Sequence, residues 1–441
     1  MLELIISAVQ AIMQVMAIVF LGVILSKRGY IDNDKQKWLS KLNLVFFTPC
    51  LLFSNIASVI SYERLLAFWP IPVFYIVFTA TSWILCQSVI PVFGIDKYYR
   101  RFVLACVMFC NTNSLPVAII SSLAVSEAGK TLYWNQDDNQ DMVAARGISY
   151  TLFFGLFCNI LRWSYGYNLL QKKAEDDDTI VIDYTPSSYE NSIGDYGSNA
   201  NNDNSRRSSS ATVSEVDYNI NEDSIKCDVP TSINETTGLF ISFPRPEETS
   251  ILRRFLNIFV TIDKYMSPPL YAALLALVVG LSPPLKHMLY DRDSFFYASL
   301  TKAIESCGKA SVPIVLICLG AQLKSIRDTQ QTNTTPKSNK PISMSIFIRM
   351  FLTPLCVLPI VYAFSVFGSQ WSELATDPMF IVSMIVVGCT PTAINLSQIT
   401  QVSGIFEEEM LNVLFWSYGV ICIPVCTFVV FLALIMVGHM N

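Results

Sequence analysis

The sequence predicts an all-α polytopic membrane protein. It is expected to have ten transmembrane helices arranged as two inverted five-helix repeats, with the fourth and ninth helices broken near the midplane. Three observations lead there. The chain is too apolar for a soluble protein, its apolar residues gather in ten long runs, and proline-containing polar interruptions recur at matching places in the two sets of five. Of 441 residues, 52% are hydrophobic and only 15% charged, where soluble domains carry about 25% charged residues, and the mean hydropathy is +0.44.

Runs of about 18 or more apolar residues with few charges read as membrane-spanning helices. They fall at roughly 4–26, 39–60, 67–92, 102–125, 147–170, 266–285, 303–322, 343–367, 378–402 and 411–437. The first run follows Glu3 without a basic segment and is too long for a signal-peptide core, so it is expected to stay in the mature chain. Residues 1–170 form the first repeat and 256–441 the second. Between them, 171–255 is a polar segment, and its 171–250 portion holds sixteen acidic and six basic residues, a net of −10 against −5 for the whole chain. Such a composition cannot bury enough apolar area to offset the entropy of ordering, so it reads as a disordered loop. RRSSS at 206–210 reads either as a solvated linker or as a stretch on which a kinase would act.

Lys and Arg are retained on the cytosolic side of short loops. Thirteen lie in or beside the first, third and seventh loops, and six in the second, fourth, sixth and eighth. The odd loops and the long acidic segment are therefore expected in the cytosol, with both termini lumenal or exterior. The sequons at Asn234 and Asn333 would then carry no glycan. Eleven of the twelve cysteines lie in or beside apolar runs without paired spacing and read as small hydrophobes. With two histidines far apart, His287 and His439, neither a metal site nor a cofactor is expected.

Pro49 in TPCLLFSNIAS corresponds to Pro313 in VPIVLICLGAQ, and Pro116 in NTNSLP to Pro391 in CTPTAIN. Five spans per copy is odd, so the second copy enters from the opposite face, and inverted repeats with interrupted helices point to a secondary transporter. A backbone break in hydrocarbon is tolerated only where it is buried in protein or lines a cavity. Pro116 restrains Leu115 away from helix, which puts the fourth break near Asn113–Leu115, with Asn113 or Ser114 capping the half-helix that follows. The ninth span is expected to repeat this, with Thr390 as cap and Pro391 in the first turn. Two half-helix N-termini, each worth roughly +0.5 charge, would then face the midplane and suit an anion. The candidate substrate-binding residues are Asn111, Thr112, Asn113, Ser114, Pro116, Thr390, Pro391, Thr392 and Asn395. Packing of small polar groups between helices is the competing reading of either motif alone.

Charges inside the runs are few. Glu305 and Lys309, four apart, can pair on one helix face or serve ion coupling. Arg162, beside Trp163, Tyr165 and Tyr167, reads as an interface anchor. Arg349 reads as an anchor or a helix-end cap, and Glu407–Glu409 as first-turn acids of the tenth helix.

These residues resemble the auxin efflux carrier superfamily, in particular its PIN-LIKES branch and fungal relatives, over all ten spans. SPPLYAALLALVVGLSPPLK (267–286), KASVPIVLICLGAQL (309–323), RMFLTPLCVLPI (349–360) and PTAINLSQITQVSGIFEEEMLNVLFWSYGV (391–420) are similar to the sixth, seventh, eighth and ninth-to-tenth spans of that family. NTNSLP stands at its fourth-span break. The chain departs from the plant pattern at Cys110–Asn111 and Asn113–Ser114, where Gly-Asn steps are favoured, and at Thr390–Pro391, where a double proline is. The resemblance implies a crossover of the fourth and ninth helices, an auxin-like weak-acid anion bound beside it, a homodimer, and the endoplasmic reticulum membrane, with the plasma membrane as the alternative.

The expected function is a secondary transporter or facilitator of a small organic anion, working by alternating access among membrane lipid. The alternative is a non-transporting receptor or regulator signalling through the long loop. No HExxH, GxGD, DHHC or paired intramembrane carboxylates support an enzyme, and nothing suggests nucleic-acid binding.

Overall fold

Long apolar runs satisfy their backbone internally as helix, and the computed structural model is helical almost throughout. It describes residues 2–172, 266–330 and 339–439. Nearly all of the acidic segment, the RRSSS stretch and the sequons at Asn234 and Asn333 lie outside the described residues.

The first half comprises α1 (Leu2–Lys27), α2 (Asn33–Leu42), α3 (Thr48–Val59), α4 (Tyr62–Ala67), α5 (Pro70–Val92), α6 (Lys97–Met108), α7 (Ser114–Val125), α8 (Gln140–Leu161) and α9 (Tyr167–Leu169). The second comprises α10 (Pro268–Leu281), α11 (Pro283–Tyr290), α12 (Lys302–Gln330), α13 (Lys340–Phe347), α14 (Thr353–Phe367), α15 (Pro378–Cys389), α16 (Asn395–Ser403), α17 (Glu407–Trp416) and α18 (Cys422–Gly438). Single π-helical turns fuse α2 to α3, α8 to α9, α13 to α14 and α17 to α18 into continuous rods. Glu407, Glu408 and Glu409 do occupy the first turn of α17, where acids favour the dipole.

Among the described residues, these four rods together with α5 and the helix containing α12 make six spans long and apolar enough to cross a membrane, and the pair α10–α11, bent by 103°, makes up to seven. The expected ten is larger because the fourth and ninth runs are each cut into pieces too short to count, α6 with α7 and α15 with α16. Of α1, only the stretch Met13–Lys27 registers, as a short apolar helix.

The helices pack in two groups. In one, α1 packs on α12, α12 on α3 and α3 on α10, while α5, α6, α8, α13, α14, α15 and α18 form the other group. Two glycines set the closest seam of the first group. A Cβ at Gly22 would overlap the Ile317 carbonyl, and one at Gly320 the Val19 carbonyl. The α1–α12 contact therefore brings backbones together as small residues do in membrane bundles.

Candidate binding site at the paired helix breaks

The two breaks meet. α6 ends at Met108 and α15 at Cys389, and the extended residues after each lie antiparallel, bridged at Cys110 and Thr392. Asn111 N donates to Pro391 O at 2.9 Å and Ala393 N to Phe109 O at 2.9 Å. Side chains satisfy the remaining backbone groups, as burial requires. Thr390 Oγ1 donates to Asn111 O at 2.7 Å and Thr392 Oγ1 to Cys106 O at 2.8 Å. The Tyr418 hydroxyl accepts from Asn111 Nδ2 at 2.8 Å and donates to Thr392 O at 2.9 Å.

This geometry corrects the break positions. The fourth-run break spans Phe109–Asn113, slightly before the expected Asn113–Leu115, because that stretch is drawn straight to pair with its counterpart. Asn113 sits at the N-cap without a side-chain cap bond, and Pro116 falls in the first turn of α7. In the ninth run the correction is larger. Thr390 is the C-cap of α15, its ψ of 155° extended as a residue before proline must be. Pro391 lies within the break, not in the first turn of α16, which starts only at Asn395.

Two buried arginines hold the crossover. Arg349, 3% exposed, donates Nε to Thr390 O at 2.8 Å, Nη2 to Gly388 O at 2.9 Å and Nη1 to Val107 O at 3.3 Å. It caps the carbonyl ends of α6 and α15, where the macrodipole is negative. Arg162, 2% exposed, donates Nη2 to Cys110 O at 2.8 Å and Nη1 to Asn159 Oδ1 at 3.1 Å. Arg162 is thus no interface anchor. The aromatic neighbours suggested one, but the side chain turns inward to the Cys110 carbonyl and the Asn159 amide oxygen. Of the two readings of Arg349, the helix-end cap holds.

The expected residues divide. Asn111, Thr112, Asn113, Ser114 and Asn395 come together with Arg162, Val312, Ala393 and Ile394 around a void with room for about one water. Thr112 Oγ1 and Arg162 Nε are buried there without hydrogen-bond partners. Thr390, Pro391 and Thr392 are buried in the bridge itself, and Pro116 is buried in α7. These four line neither that void nor the larger cavity beside it.

The larger cavity, about 420 Å³, lies between α7 and the α1, α3, α12 group. Asn113 and the exposed Ser114 present the α7 N-terminus to it, and Lys309, Asn55, Gln14 and Tyr418 supply its other polar groups. Its walls are apolar, among them Val15, Ile18, Leu51, Leu152 and Leu316. Lys309 forms no ion pair with Glu305, and no carboxylate among the described residues lies within 4.0 Å of it. Glu305 sits one turn earlier, and the Lys309 side chain faces the cavity instead.

Sequence reasoning passed over Tyr418 and gave Lys309 the wrong partner. An Arg within an otherwise apolar run was the available signal for Arg162, since intramembrane charges mark functional positions by default. Tyr418 left no signal, for its role depends on a contact across 307 residues.

A bundle of apolar rods around paired, interrupted helices, with a cavity at the break, defines a polytopic membrane transporter. Residues 7–430 match the membrane transport protein family. The chain is 34% identical to the uncharacterized transporter C5D6.04 of Schizosaccharomyces pombe, over 97% of this chain and 95% of that one. It is 31% identical to the uncharacterized transporter YBR287W of Saccharomyces cerevisiae, over 96% and 93%, and 23% identical to Protein PIN-LIKES 2 of Arabidopsis thaliana, over 94% and 91%. The chain belongs to the membrane transport protein family, that of the auxin efflux carriers. It is an integral membrane protein of a transporter family, not of an enzyme family.

Proposed function

We propose that the protein moves a small organic, auxin-like weak-acid anion across the endoplasmic reticulum membrane by alternating access, as a facilitator or secondary transporter. The ten runs act as two inverted five-helix repeats, with the long loop cytosolic and both termini lumenal. The observation that carries the reading is the cavity at the α7 N-terminus. Lys309, without a carboxylate partner, and the free N–H groups of the first turn of α7 supply positive potential at one end. Apolar walls supply a slot for a hydrocarbon or aromatic body. Pockets of this kind use a few polar groups for orientation and apolar area for most of the affinity.

Asn113 and Ser114 contact the anion in this reading. Asn111, Thr112 and Asn395 line the void behind them, and Thr390, Pro391, Thr392 and Pro116 shape the break. The inverted repeat draws support from the two breaks, which fall at corresponding runs and pair with each other. The PIN-LIKES relatives support the auxin-like class.

The test is uptake of radiolabelled indole-3-acetate into proteoliposomes, with and without an imposed membrane potential or pH gradient. Saturable flux that follows the potential is expected. It should be lost in an Asn113→Ala/Asn395→Ala variant, and Lys309→Gln should weaken apparent affinity by about tenfold, the value of one charge-assisted hydrogen bond, with Lys309→Arg intermediate. Flux indifferent to Lys309→Gln would move the anion away from this cavity. Binding without flux would favour a receptor.

A further inference from the structure

Access to the crossover is one-sided. On the α7 side lies the open cavity, and among the described residues no side-chain hydrogen bond joins α7 to α1, α3 or α12. On the α16 side the same neighbouring group is fastened by a buried polar seam. Gln398 and Gln401, three apart and so on one face of α16, make its two rungs. In the first, Gln398 Nε2 donates to Thr48 Oγ1 at 3.1 Å, and Thr48 Oγ1 lies 3.0 Å from Ser311 Oγ of α12. In the second, Ser40 Oγ of α2 donates to Gln401 Oε1 at 2.6 Å, Gln401 Nε2 to Gln322 Oε1 at 3.0 Å, and Gln322 Nε2 to Glu407 Oε2 at 2.8 Å. Ser40, Thr48, Ser311, Gln322, Gln398 and Gln401 are each no more than 3% exposed.

A helix that only needed anchoring would be served by apolar contacts, which tolerate sliding poorly but have no alternative partners. Neutral amide and hydroxyl groups behave differently. Their hydrogen bonds are strong only while dry, and water replaces them at small net cost. A seam built of such groups is stable when closed and separates readily once wetted. Lys37 stands 4.0 Å from Glu407 at the edge of the second rung, so the ladder runs from the crossover outward to a charged rim.

We propose that this amide–hydroxyl seam is the gate that closes the site on the α16 side. The structure is then the state open on the α7 side, and opening toward α16 requires both rungs to break. The inference rests on the transport reading, and its test is read without substrate.

Ser397, buried on the flank of α16, is replaced in a Ser397→Cys reporter. Its alkylation by a membrane-impermeant maleimide is followed in proteoliposomes by fragment-ion mass spectrometry, which separates it from native cysteines. Adding Gln398→Leu/Gln401→Leu, which keeps the packing but removes the rungs, is expected to speed alkylation at least tenfold. Adding Ser40→Cys/Gln401→Cys and oxidising the pair to a disulfide is expected to slow it at least tenfold. Unchanged rates in the leucine variant, or alkylation unaffected by the cross-link, would overturn the gate. The cross-linked form is also incubated with radiolabelled indole-3-acetate. Retained binding places the ligand on the open α7 side, as the gate requires. Loss of binding together with the expected alkylation changes keeps the gate and removes the anion reading.

Discussion

Replacing Arg349 by leucine is expected to destabilise the fold more than any other single change near the crossover. The guanidinium makes three hydrogen bonds, to the carbonyls of Thr390, Gly388 and Val107. Each buried carbonyl left unsatisfied costs about 1–3 kcal/mol, which for three gives about 3–9 kcal/mol. Against this stands the relief of no longer burying a cation, several kcal/mol in effective terms, together with the apolar burial of the leucine. The net expected loss is about 2–5 kcal/mol, a large share of the roughly 5–15 kcal/mol that holds a native protein together. Arg349→Lys should fall between, since an ammonium cannot reproduce the planar fork that reaches three carbonyls at once. The assay is unfolding of the purified protein in mixed micelles along a detergent titration, read by tryptophan fluorescence, for wild type and both variants. Arg349→Leu within about 0.5 kcal/mol of wild type would refute the capping argument, because surface-like substitutions have effects of that size.

Two further outcomes follow from the packing. Gly320→Val should separate α1 from α12 and cost about 1–3 kcal/mol in the same titration, since the added atoms meet the Val19 carbonyl. Asp138 lies in a clasp outside the spans. Arg146 Nη1 and Nη2 each reach its carboxylate at 3.0 Å, and the N–H groups of Trp134 and Asn135 donate to it. Burial pushes its carboxyl up, but these partners outweigh burial and hold it below the ordinary value of 3.8. Stability from Asp138 is therefore present above the unfolded pKa and lost as pH falls through the depressed folded value. Asp377 runs the other way. Burial raises it despite the Tyr150 and Arg146 contacts, so it gains stability as it binds a proton. Asp138→Asn should cost about 1–3 kcal/mol at neutral pH and flatten the acid limb of a stability-versus-pH curve, and an unchanged acid limb would remove Asp138 from the clasp.

What could be read from sequence followed the range of the interaction. Apolar runs of helix length and the prolines at 116 and 391 are local signals, so the helices and the two interruptions were foreseeable residue by residue. The position of the ninth break was not. Pro391 in isolation fits a helix first turn, and only the partner segment at Phe109–Asn111 draws residues 390–393 out of helix. The same holds for Arg162. Its Tyr and Trp neighbours fit an interface by composition, while its real partner, the Cys110 carbonyl, is supplied by the extended break between α6 and α7. Lys309 was paired with Glu305 by helical spacing alone, and spacing says nothing about the cavity on its other side.

The choice of arginine at the crossover bears on what the site can hold. Four half-helix ends converge there, and their partial charges, two of roughly +0.5 and two of roughly −0.5, would cancel. Were the carbonyl ends capped by neutral donors, the site would be close to neutral, with little to attract the anion proposed above. Arg162 and Arg349 instead bring two full positive charges, neither within 4.0 Å of a carboxylate among the described residues. Carbonyl oxygens satisfy their hydrogen bonds but do not cancel their charge. The caps therefore do two things at once. They let the backbone break inside the protein, and they leave the N-terminal ends of α7 and α16 in a field that is positive overall, to which Lys309 adds across the cavity. The arginines that stabilise the broken helices thus also place positive charge behind the anion site proposed above.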